Sequence, residues 1–499
     1  MTQKPHPVWT IPEVLREIMR HNAHNEQALA RCARVSRAFS DPAIEVLWEE
    51  QRGLGALFAL MPRSIRKVAV GVDQDDDAFG IRPTSFVLID TIQAPEWERM
   101  SHYARLVRTY ISDGVLIDGL CASVILQKLA GKPLLPRLRR LDWKLPFDQS
   151  SFLAFFLSPM LRSVHLDLLE GDTSRFTHDQ NTEPTASEYA YGTALQLFQS
   201  LAPNLENLHM WTSGFHCSMD RLVEFRNLRV LKLELIRYPG LVLQTASALP
   251  GLRKLSIYFS GTPHDQAGPP HPETCLPSLR CLKLHGVGTA IIPFIAAVSA
   301  PLLRTIMLSF MAMEAQWKEC ADLIVSRFGS SLRELDFDVE DAYDDPNPYL
   351  FDDWFSALYA LRRLHRVSIN SMFETPFIIT AQDIDRMTSA WPRIRFLLIP
   401  AVQQNPSLMF PITALESFAE KCPRLRQLVI PIPDHGPLEG PTEPAVSRQH
   451  DGVQEIRLLS GRWPENVHDK CMAYLNKLFP NAEAWIFDNE WDDDGELLE

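Results

Sequence analysis

Two histidines and a carboxylate are the clearest candidates for acid–base chemistry in this chain. His165 and His209 occupy the same position in two copies of a repeated phrase, and Asp167 follows two residues after His165. If the two copies lie side by side, a histidine and a carboxylate there could exchange protons. The sequence contains no P-loop, no G-x-G-x-x-G turn, no H-E-x-x-H helix and no G-x-S-x-G elbow. We therefore predict a displayed polar patch and no enzymatic activity.

Metal binding is the second chemical possibility. His21 and His24 are spaced H-x-x-H, but no third ligand follows nearby, whereas a zinc site needs at least three protein ligands. The 8 cysteines stand singly, without any C-x-x-C pair. This usage is typical of reduced thiols in an intracellular protein. The sequence predicts neither a metal nor a cofactor.

Composition and charge narrow the classes of partner. The 499 residues are 46% hydrophobic and 22% charged, with a formal net charge of -13. An acidic chain is a poor candidate for non-specific nucleic-acid binding. No signal peptide is recognisable, and no apolar run approaches the roughly 20 residues that span a bilayer. We predict a cytoplasmic or nuclear protein that binds neither nucleic acid nor membrane.

Residues 8–50 carry the pattern of three short amphipathic helices. The polar run HNAHNEQ separates the first two, and Ser40-Asp41-Pro42 is predicted to end the second helix and begin the third. Domains this small are marginally stable alone. The module must therefore pack on the rest of the chain as a cap, or on another protein. Its apolar faces are Ile11, Val14, Leu15, Ile18 and Met19; Leu29, Cys32, Ala33, Ser36 and Phe39; and Ile44, Leu47 and Trp48.

The motifs of these three helices, taken in order, resemble those of a known family. I-P-E-V-L-x-x-I, followed by L-A-R-C-A-R-V-S-R-A-F-S-D-P-A-I-E-V-L-W, resembles an F-box of the divergent type found in basidiomycete fungi. That family is a three-helix module that binds the Skp-type adaptor of SCF ubiquitin ligases. Ser36 stands where the family usually has Cys, and Phe39 where it usually has Trp. The resemblance implies adaptor contacts by Pro12, Leu15, Ile18, Val35, Ser36, Phe39, Leu47 and Trp48.

From residue 136 onward a phrase of the form P-x-L-x-x-L-x-L recurs. Clear copies include PNLENLHM, PSLRCLKL, SSLRELDF and PRLRQLVI. Successive copies begin 23 to 32 residues apart, except for one step of 44 that contains a polar insertion. This phrase and period are those of leucine-rich repeats. In such a repeat L-x-L forms a short strand with both apolar side chains in the core, and one repeat cannot bury its own apolar face without its neighbours.

The predicted fold is α/β, with the three-helix F-box-like module followed by a leucine-rich-repeat solenoid. Parallel strands form its inner face and helices lie outside. The predicted domains are the module at 8–50, an irregular linker with degenerate early repeats at 51–135, the solenoid at 136–488 and an acidic tail at 489–499. The segment EWERMSHYARLVRTY also resembles the one that follows the F-box in basidiomycete F-box/leucine-rich-repeat proteins.

Repeat phase predicts which side chains the inner face displays. The residue between the two leucines of L-x-L points outward, as do its neighbours before and after the pair. Trp211 and Tyr258 would then be displayed beside charges, as in interface hot spots. In the last copy, the displayed residue is predicted to be Ile486. The predicted substrate-binding residues are His165, His209, Trp211, Lys232, Glu234, Tyr258, Lys283 and His285.

The resemblances together imply a substrate-recognition adaptor of an SCF-type E3 ubiquitin ligase. The module would bind a Skp-type adaptor and through it the cullin ligase core, and the repeats would hold an unidentified protein substrate. The alternative is a leucine-rich-repeat scaffold without a ubiquitin ligase role, in which the module is an N-terminal cap.

Overall fold

The computed structural model describes most of the chain, in twelve ranges. Its residues fall into two compact units, Met1–Leu233 and Glu234–Glu499. The predicted acidic tail, 489–499, lies outside the described residues. The described ranges are 11–69, 84–169, 186–211, 219–236, 239–259, 273–311, 314–340, 349–371, 377–399, 410–431, 449–460 and 465–488.

The first unit begins with a three-helix head, formed by α1 (Pro12–Arg20), α2 (Glu26–Cys32) and α3 (Arg37–Glu49). The predicted helix break at Ser40-Asp41-Pro42 is wrong, because α3 starts at Arg37 and contains Pro42. A proline inside a helix forfeits one backbone hydrogen bond. Here Pro42 is buried, so its ring adds to the packing of the head and offsets that loss.

The head has a small core of its own. Four buried side chains from the three helices form it, and four partly buried ones pack around them. A cluster of this size provides only a fraction of the apolar burial that an independent domain needs. The buried four are Met19, Leu29, Ala43 and Val46, and the surrounding four are Cys32, Ala33, Phe39 and Leu47.

The remainder of the first unit is built on parallel strands. Its main sheet has the strand order β1-β4-β6-β7-β8-β9, and β2, β3 and β5 form a separate sheet. Two parts of the predicted degenerate early repeats belong to different sheets. Residues 62–69 contain β2 of the small sheet, and residues 102–110 lead into β4 of the main sheet. The strands are β1 (Glu50–Arg52), β2 (Ile65–Ala69), β3 (Thr84–Leu88), β4 (Thr109–Ile111), β5 (Leu116–Ile117), β6 (Arg140–Pro146), β7 (Ser163–Leu169), β8 (Asn207–Trp211) and β9 (Val230–Ile236). The helices after the head are α4 (Gly55–Phe58), α5 (Ala94–Ala104), α6 (Gly119–Leu129) and α7 (Ala186–Leu201), with 3-10 turns at Phe147–Phe155 and Met219–Glu224.

The second unit repeats the same plan. Nine parallel strands follow the order β10-β12-β14-β15-β17-β19-β20-β21-β22. The main strands are β10 (Lys254–Phe259), β12 (Cys281–Val287), β14 (Thr305–Met311), β15 (Glu334–Glu340), β17 (Arg366–Ser371), β19 (Phe396–Leu398), β20 (Gln427–Pro431), β21 (Glu455–Ser460) and β22 (Glu483–Asp488). Two-residue strands pair as β11 (Thr274–Cys275) with β13 (Val298–Ser299) and as β16 (Tyr349–Leu350) with β18 (Phe377–Ile378). The helices are α8 (Pro239–Ser247), α9 (Gly288–Ala297), α10 (Glu314–Phe328), α11 (Phe351–Phe355), α12 (Ala381–Ala390), α13 (Glu416–Lys421) and α14 (Glu465–Leu478), with 3-10 turns at Ser356–Ala360 and Ile412–Leu415.

The repeated phrase explains this plan. On β12, Leu282 and Leu284 are buried and Lys283 between them is exposed. Helices cover the buried side of the strands: Trp317 of α10 is fully buried and stacks on Phe310 of β14, with ring centroids 3.8 Å apart. Alternating strand and helix around one apolar layer is the leucine-rich-repeat arrangement that the phrase predicts.

The described helices are short. The longest is α7, with 16 residues, which is fewer than the roughly 20 that cross a bilayer. No helix within the described ranges combines the length and apolar character that a membrane crossing requires.

Candidate functional site

Helix α1 carries one broad apolar face, only part of which is buried. Leu15 and Met19 on this face are buried, and Leu15 is only 1% exposed. Ile11 at the N-cap, Val14 and Ile18 follow at helical spacing along one edge of the same face and are exposed, Ile18 at 38%. A helix packs on its own core through one apolar stripe. The exposed edge of this stripe is therefore available to a partner.

The link between α2 and α3 carries a further exposed apolar side chain of the head. Val35 is 71% exposed, more than any other large apolar side chain among the described residues. Pro12 and Ser36 are exposed as well. Four of the eight residues predicted to bind an adaptor, these three and Ile18, are therefore accessible.

The other four predicted adaptor-binding residues pack inside the first unit. Leu15 is buried, and Phe39 and Leu47 lie half-buried against the head core. Trp48 is half-buried and stacks on Tyr103 of α5, with ring centroids 4.6 Å apart and ring planes at 28°. A partner for Trp48 could not be predicted from the sequence, because Tyr103 lies on a later helix. Contact of these four residues with an adaptor stays a prediction.

Ion pairs connect the head to the strands that follow it. Arg16 Nε lies 2.6 Å from Glu45 Oε2, which joins α1 to α3. At the end of α3, Glu49 accepts hydrogen bonds from Arg20 at 3.4 Å and from Arg108, just before β4, at 3.2 Å. These groups are partly exposed, so each pair contributes about 1 kcal/mol or less. Their main effect is to orient the head.

A pocket of about 210 Å³ lies beside these ion pairs. Its lining lacks histidine, cysteine and hydroxyl side chains, so it offers no nucleophile with a paired base. The lining residues are Arg16, Glu45, Glu49, Arg105, Leu106, Arg108 and Arg137.

The inner sheet face of the first unit carries a polar row. Asp142, His165 and His209 are register partners on β6, β7 and β8. Asp142 Oδ1 lies 3.0 Å from His165 Nδ1, and the two imidazole rings stack with centroids 3.9 Å apart. The predicted side-by-side placement of the two histidines is confirmed. His165 Nε2 is buried and has no hydrogen-bond partner among the described residues.

Trp211 stands at the end of β8, where its backbone is held from behind the sheet. The Tyr191 hydroxyl of α7 donates to the Trp211 carbonyl oxygen and accepts from the Leu168 N–H at 3.0 Å. Trp211 is the register partner of Asp167, and its side chain is 37% exposed. Lys232 on β9 is half-buried. The first unit thus displays an aromatic ring beside charged and imidazole groups.

The other four predicted substrate-binding residues belong to the second unit. Tyr258 and His285 stack with ring centroids 4.0 Å apart, and His285 Nδ1 hydrogen-bonds Ser309 Oγ at 2.7 Å. Tyr258 and Lys283 are exposed, whereas Glu234, predicted to be displayed, is only 7% exposed. An inner-face position can be covered by side chains on neighbouring strands. A substrate contact at any of the eight residues stays a prediction.

The last strand is shifted by one residue from its predicted phase. In β22, Trp485 is the register partner of Arg457, and Ile486 is the partner of Leu458. Trp485 is therefore displayed, at 47% exposure, one position before the predicted Ile486. A shift of one residue exchanges the two faces of a strand. The phrase PNAEAWIF leads to this error because Trp485, a large apolar residue, is predicted to point inward.

Three of the buried cysteines are poor nucleophiles. Burial raises the pKa of Cys121 to about 11, and it raises the pKa of Cys422 and Cys471 to about 12. These thiols are protonated near neutral pH, and the thiolate is the reactive form. In the described part of the chain no group of three His, Cys, Asp or Glu side chains is placed to hold a metal ion. His21 and His24 are both exposed.

Comparison with known proteins adds little to this description. No family model matches the chain, and no curated protein matches it. One solved structure to which it is similar is the crystal structure of a TLR13–ssRNA13 complex, at 12% sequence identity and a TM-score of 0.30. The match covers 77% of this chain and 53% of that chain, so this chain spans about half the length of its match. Similarity at this level assigns no function, and the repeat architecture rests on the strands of this chain alone.

Proposed function

We propose that this chain is a substrate-recognition subunit of an SCF-type E3 ubiquitin ligase. The head binds a Skp-type adaptor, which links it to the cullin core, and the inner sheet face binds a protein substrate. The observation that carries the proposal is the exposed apolar surface of the head. Ile11, Val14, Ile18 and Val35 are open to solvent on a small three-helix module.

The size of this surface suits a protein partner. Burying a partly exposed aliphatic side chain gains roughly 1 kcal/mol. Ile18 and Val35, together with Ile11 and Val14, would therefore supply several kcal/mol if a partner covered them all. The ion pair between Glu49 and Arg108 favours one orientation of the head, which lowers the ordering cost on binding.

In this proposal the chain contributes proximity and no bond chemistry. A substrate held on the inner face would be brought near the ubiquitin-charged enzyme that the cullin core carries. Holding two reactants together raises their effective concentration, which is sufficient to accelerate transfer. Trp211 in the first unit and Tyr258 in the second are the exposed aromatic anchors to test for substrate contact.

The test is co-purification of the full chain with a Skp-type adaptor from its own source. The variant Ile18→Glu/Val35→Glu places two charges on the exposed surface without touching the head core. The control Leu120→Glu/Leu302→Glu places two charges at exposed leucines outside the head. We expect the wild type and the control to retain the adaptor, and the head variant to bind at least tenfold more weakly with an unchanged melting temperature. Equal binding by all three proteins, or by none, would exclude adaptor docking through this surface.

The second candidate function is a repeat scaffold in which the head is only a cap. It is favoured by the stack of Trp48 on Tyr103 and by the contact of Glu49 with Arg108, both of which join the head to the rest of the first unit. If no adaptor is retained, and Trp48→Ala lowers the melting temperature, the cap alone accounts for the head.

A further inference from the structure

One position of the repeat is occupied mostly by arginine in the second unit. The residue directly before each main strand is arginine in six of the nine cases. All six arginines are exposed, whereas the histidine is half-buried. We call the row from Arg253 to Arg426 the arginine ladder. In chain order the nine residues are Arg253, Arg280, Arg304, Arg333, His365, Arg395, Arg426, Gln454 and Ala482.

Backbone hydrogen bonds make this row continuous. The N–H of Arg304 donates to the carbonyl of Arg280 at 2.9 Å, and that of Arg333 donates to the carbonyl of Arg304 at 2.8 Å. The same bond recurs from His365 to Arg333 and from Arg395 to His365. Successive members therefore lie on adjacent strands about 4.8 Å apart, so the ladder extends roughly 30 Å along the amino ends of the strands.

The charges of the ladder have no acidic partner in the part of the chain that the structure describes. Among the described residues, no ion pair involves any of the six ladder arginines. Nearby arginines also use neutral partners. Arg362 Nη1 donates to the Ser389 carbonyl at 2.7 Å, and Arg366 lies over the ring of Phe396 at 5.5 Å.

His365, which lies within the ladder, is in a positive electrostatic environment. Burial lowers the pKa of His365, and the guanidinium groups of Arg395, Arg333, Arg393 and Arg424 lower it further. Four arginines, from the repeat before His365 and the two repeats after it, thus act on one imidazole. The chain as a whole has a net charge of -13, so this concentration of positive charge is a local feature and not a consequence of composition.

We infer that the arginine ladder is a binding surface for an acidic segment of a partner protein, rich in Asp and Glu and bound in an extended conformation. Guanidinium groups match carboxylates in a bidentate geometry, and a row of them suits a row of carboxylates. Single-stranded nucleic acid would also require aromatic platforms for its bases. Of the residues that begin the nine strands, only Phe396 is aromatic, and Arg366 covers it.

The inference goes beyond the proposed function, because it concerns a surface apart from the head and holds whether or not the chain serves a ligase. Its probe is a fluorescein-labelled peptide of about twelve alternating Asp and Glu residues, followed by fluorescence anisotropy at low ionic strength. The test variant is Arg304→Gln/Arg333→Gln/Arg395→Gln. The control, Arg327→Gln/Arg386→Gln/Lys421→Gln, removes the same charge from helical sites where Glu273, Asp352 and Asp385 already pair with it.

We expect the control to bind the peptide within twofold of the wild type and the ladder variant to bind roughly tenfold more weakly. A triple Arg→Lys variant at the same ladder positions, which keeps the charge but loses the bidentate geometry, should fall between the two. Adaptor binding by the ladder variant should be unchanged, so failure of this inference and failure of the proposed function are distinguishable. The inference is overturned if the ladder variant and the control bind alike, if the wild type does not bind the peptide, or if a labelled oligouridylate of equal length binds the wild type more tightly than the peptide does.

Discussion

The two units differ in the charges at the position before each strand. In the first unit this row is Glu49, Arg108, Arg139, Arg162, Glu206 and Arg229, so two of its six residues are acids. Arg108 pairs with Glu49 at 3.2 Å, and Glu206 lies 3.6 Å from Arg162 and 3.9 Å from Arg229. In the second unit the row contains no acid. Three of the four first-unit arginines therefore pair within their own row, whereas the six arginines of the ladder form no ion pair among the described residues.

The interiors of the two units differ much less than their surfaces. Trp317 in the second unit and Trp143 in the first are both fully buried among aromatic rings, Phe310 and Phe156 being their neighbours. The apolar positions of the phrase therefore specify the fold in both units. The position before the strand does not pack in the core, so its charge can vary.

The largest expected effect tests that shared interior. Trp317→Ala and Trp143→Ala should each lower the free energy of unfolding by about 3–5 kcal/mol, because each leaves a large cavity in a packed core. Far-UV circular dichroism during urea unfolding measures both. Trp485→Ala, at an exposed tryptophan, is the matched control and should cost less than about 1 kcal/mol. A small loss at Trp143 alone would mean that the two interiors are not equivalent.

The next effect concerns the head, which only the first unit has. Trp48→Ala should lower the free energy of unfolding of that unit by about 2 kcal/mol, since it removes the aromatic stack on Tyr103 and part of the burial around it. Thermal unfolding measures the change. Tyr103→Phe keeps the ring and should be nearly neutral. If Tyr103→Phe costs as much as Trp48→Ala, the stack is not the source of the stability.

Two substitutions give the row of each unit a feature of the other unit's row. His365→Glu places an acid between Arg333 and Arg395, as Glu206 stands between arginines in the first unit. It should weaken binding of the acidic peptide about fivefold, by pairing with its neighbours. Glu206→Gln releases Arg162 and Arg229 and should raise peptide binding about twofold. Anisotropy titrations measure both changes, and opposite signs to these would break the comparison.

The smallest effect is a pH dependence in the second unit. Burial and the neighbouring guanidinium groups of Arg395, Arg333, Arg393 and Arg424 lower the pKa of His365 from its ordinary value of 6.5. The unfolded chain therefore takes up this proton at higher pH than the native chain does. The contribution to stability is full above pH 6.5 and is lost as the pH falls from there through the lower native pKa.

His365→Gln should remove this dependence. Its free energy of unfolding should fall less between pH 7 and pH 5 than that of the wild type, as measured by urea titrations at the two pH values. Equal slopes for the two proteins would show that the arginines do not act on the imidazole.

Much of the fold could be predicted because the phrase encodes burial directly. Leu282 and Leu284 alternate with Lys283, and a parallel strand follows from that alternation. The start of α3 at Arg37 could not be predicted in the same way, because Pro42 is typical of the first turn of a helix. The burial of Pro42 in the head explains why this residue lies inside α3. The slip at Trp485 has a related cause, because a large apolar residue reads as inward whichever way it points.

The candidate surfaces were harder to predict, because exposure depends on what lies beside a residue. Glu234 and Tyr258 occupy inner-face positions, yet only Tyr258 is exposed. Trp48 lacked a visible partner because Tyr103 is distant in sequence. The arginine ladder was visible in the phrases themselves, as in PSLRCLKL and PRLRQLVI, but the prediction considered only the residues inside the strand. The recurrence of one charge at one repeat position was the signal that was missed.

The stack of Trp48 on Tyr103 has a consequence for biosynthesis. The head is translated before α5, and Tyr103 leaves the ribosome about 55 residues after Trp48, which at roughly 5–20 residues per second is a delay of about 3–11 s. During that interval the indole has no ring to cover it, so the nascent head presents Trp48 as well as Ile18 and Val35. A chaperone, or an early-bound partner, would meet a larger apolar surface on the emerging chain than on the finished protein.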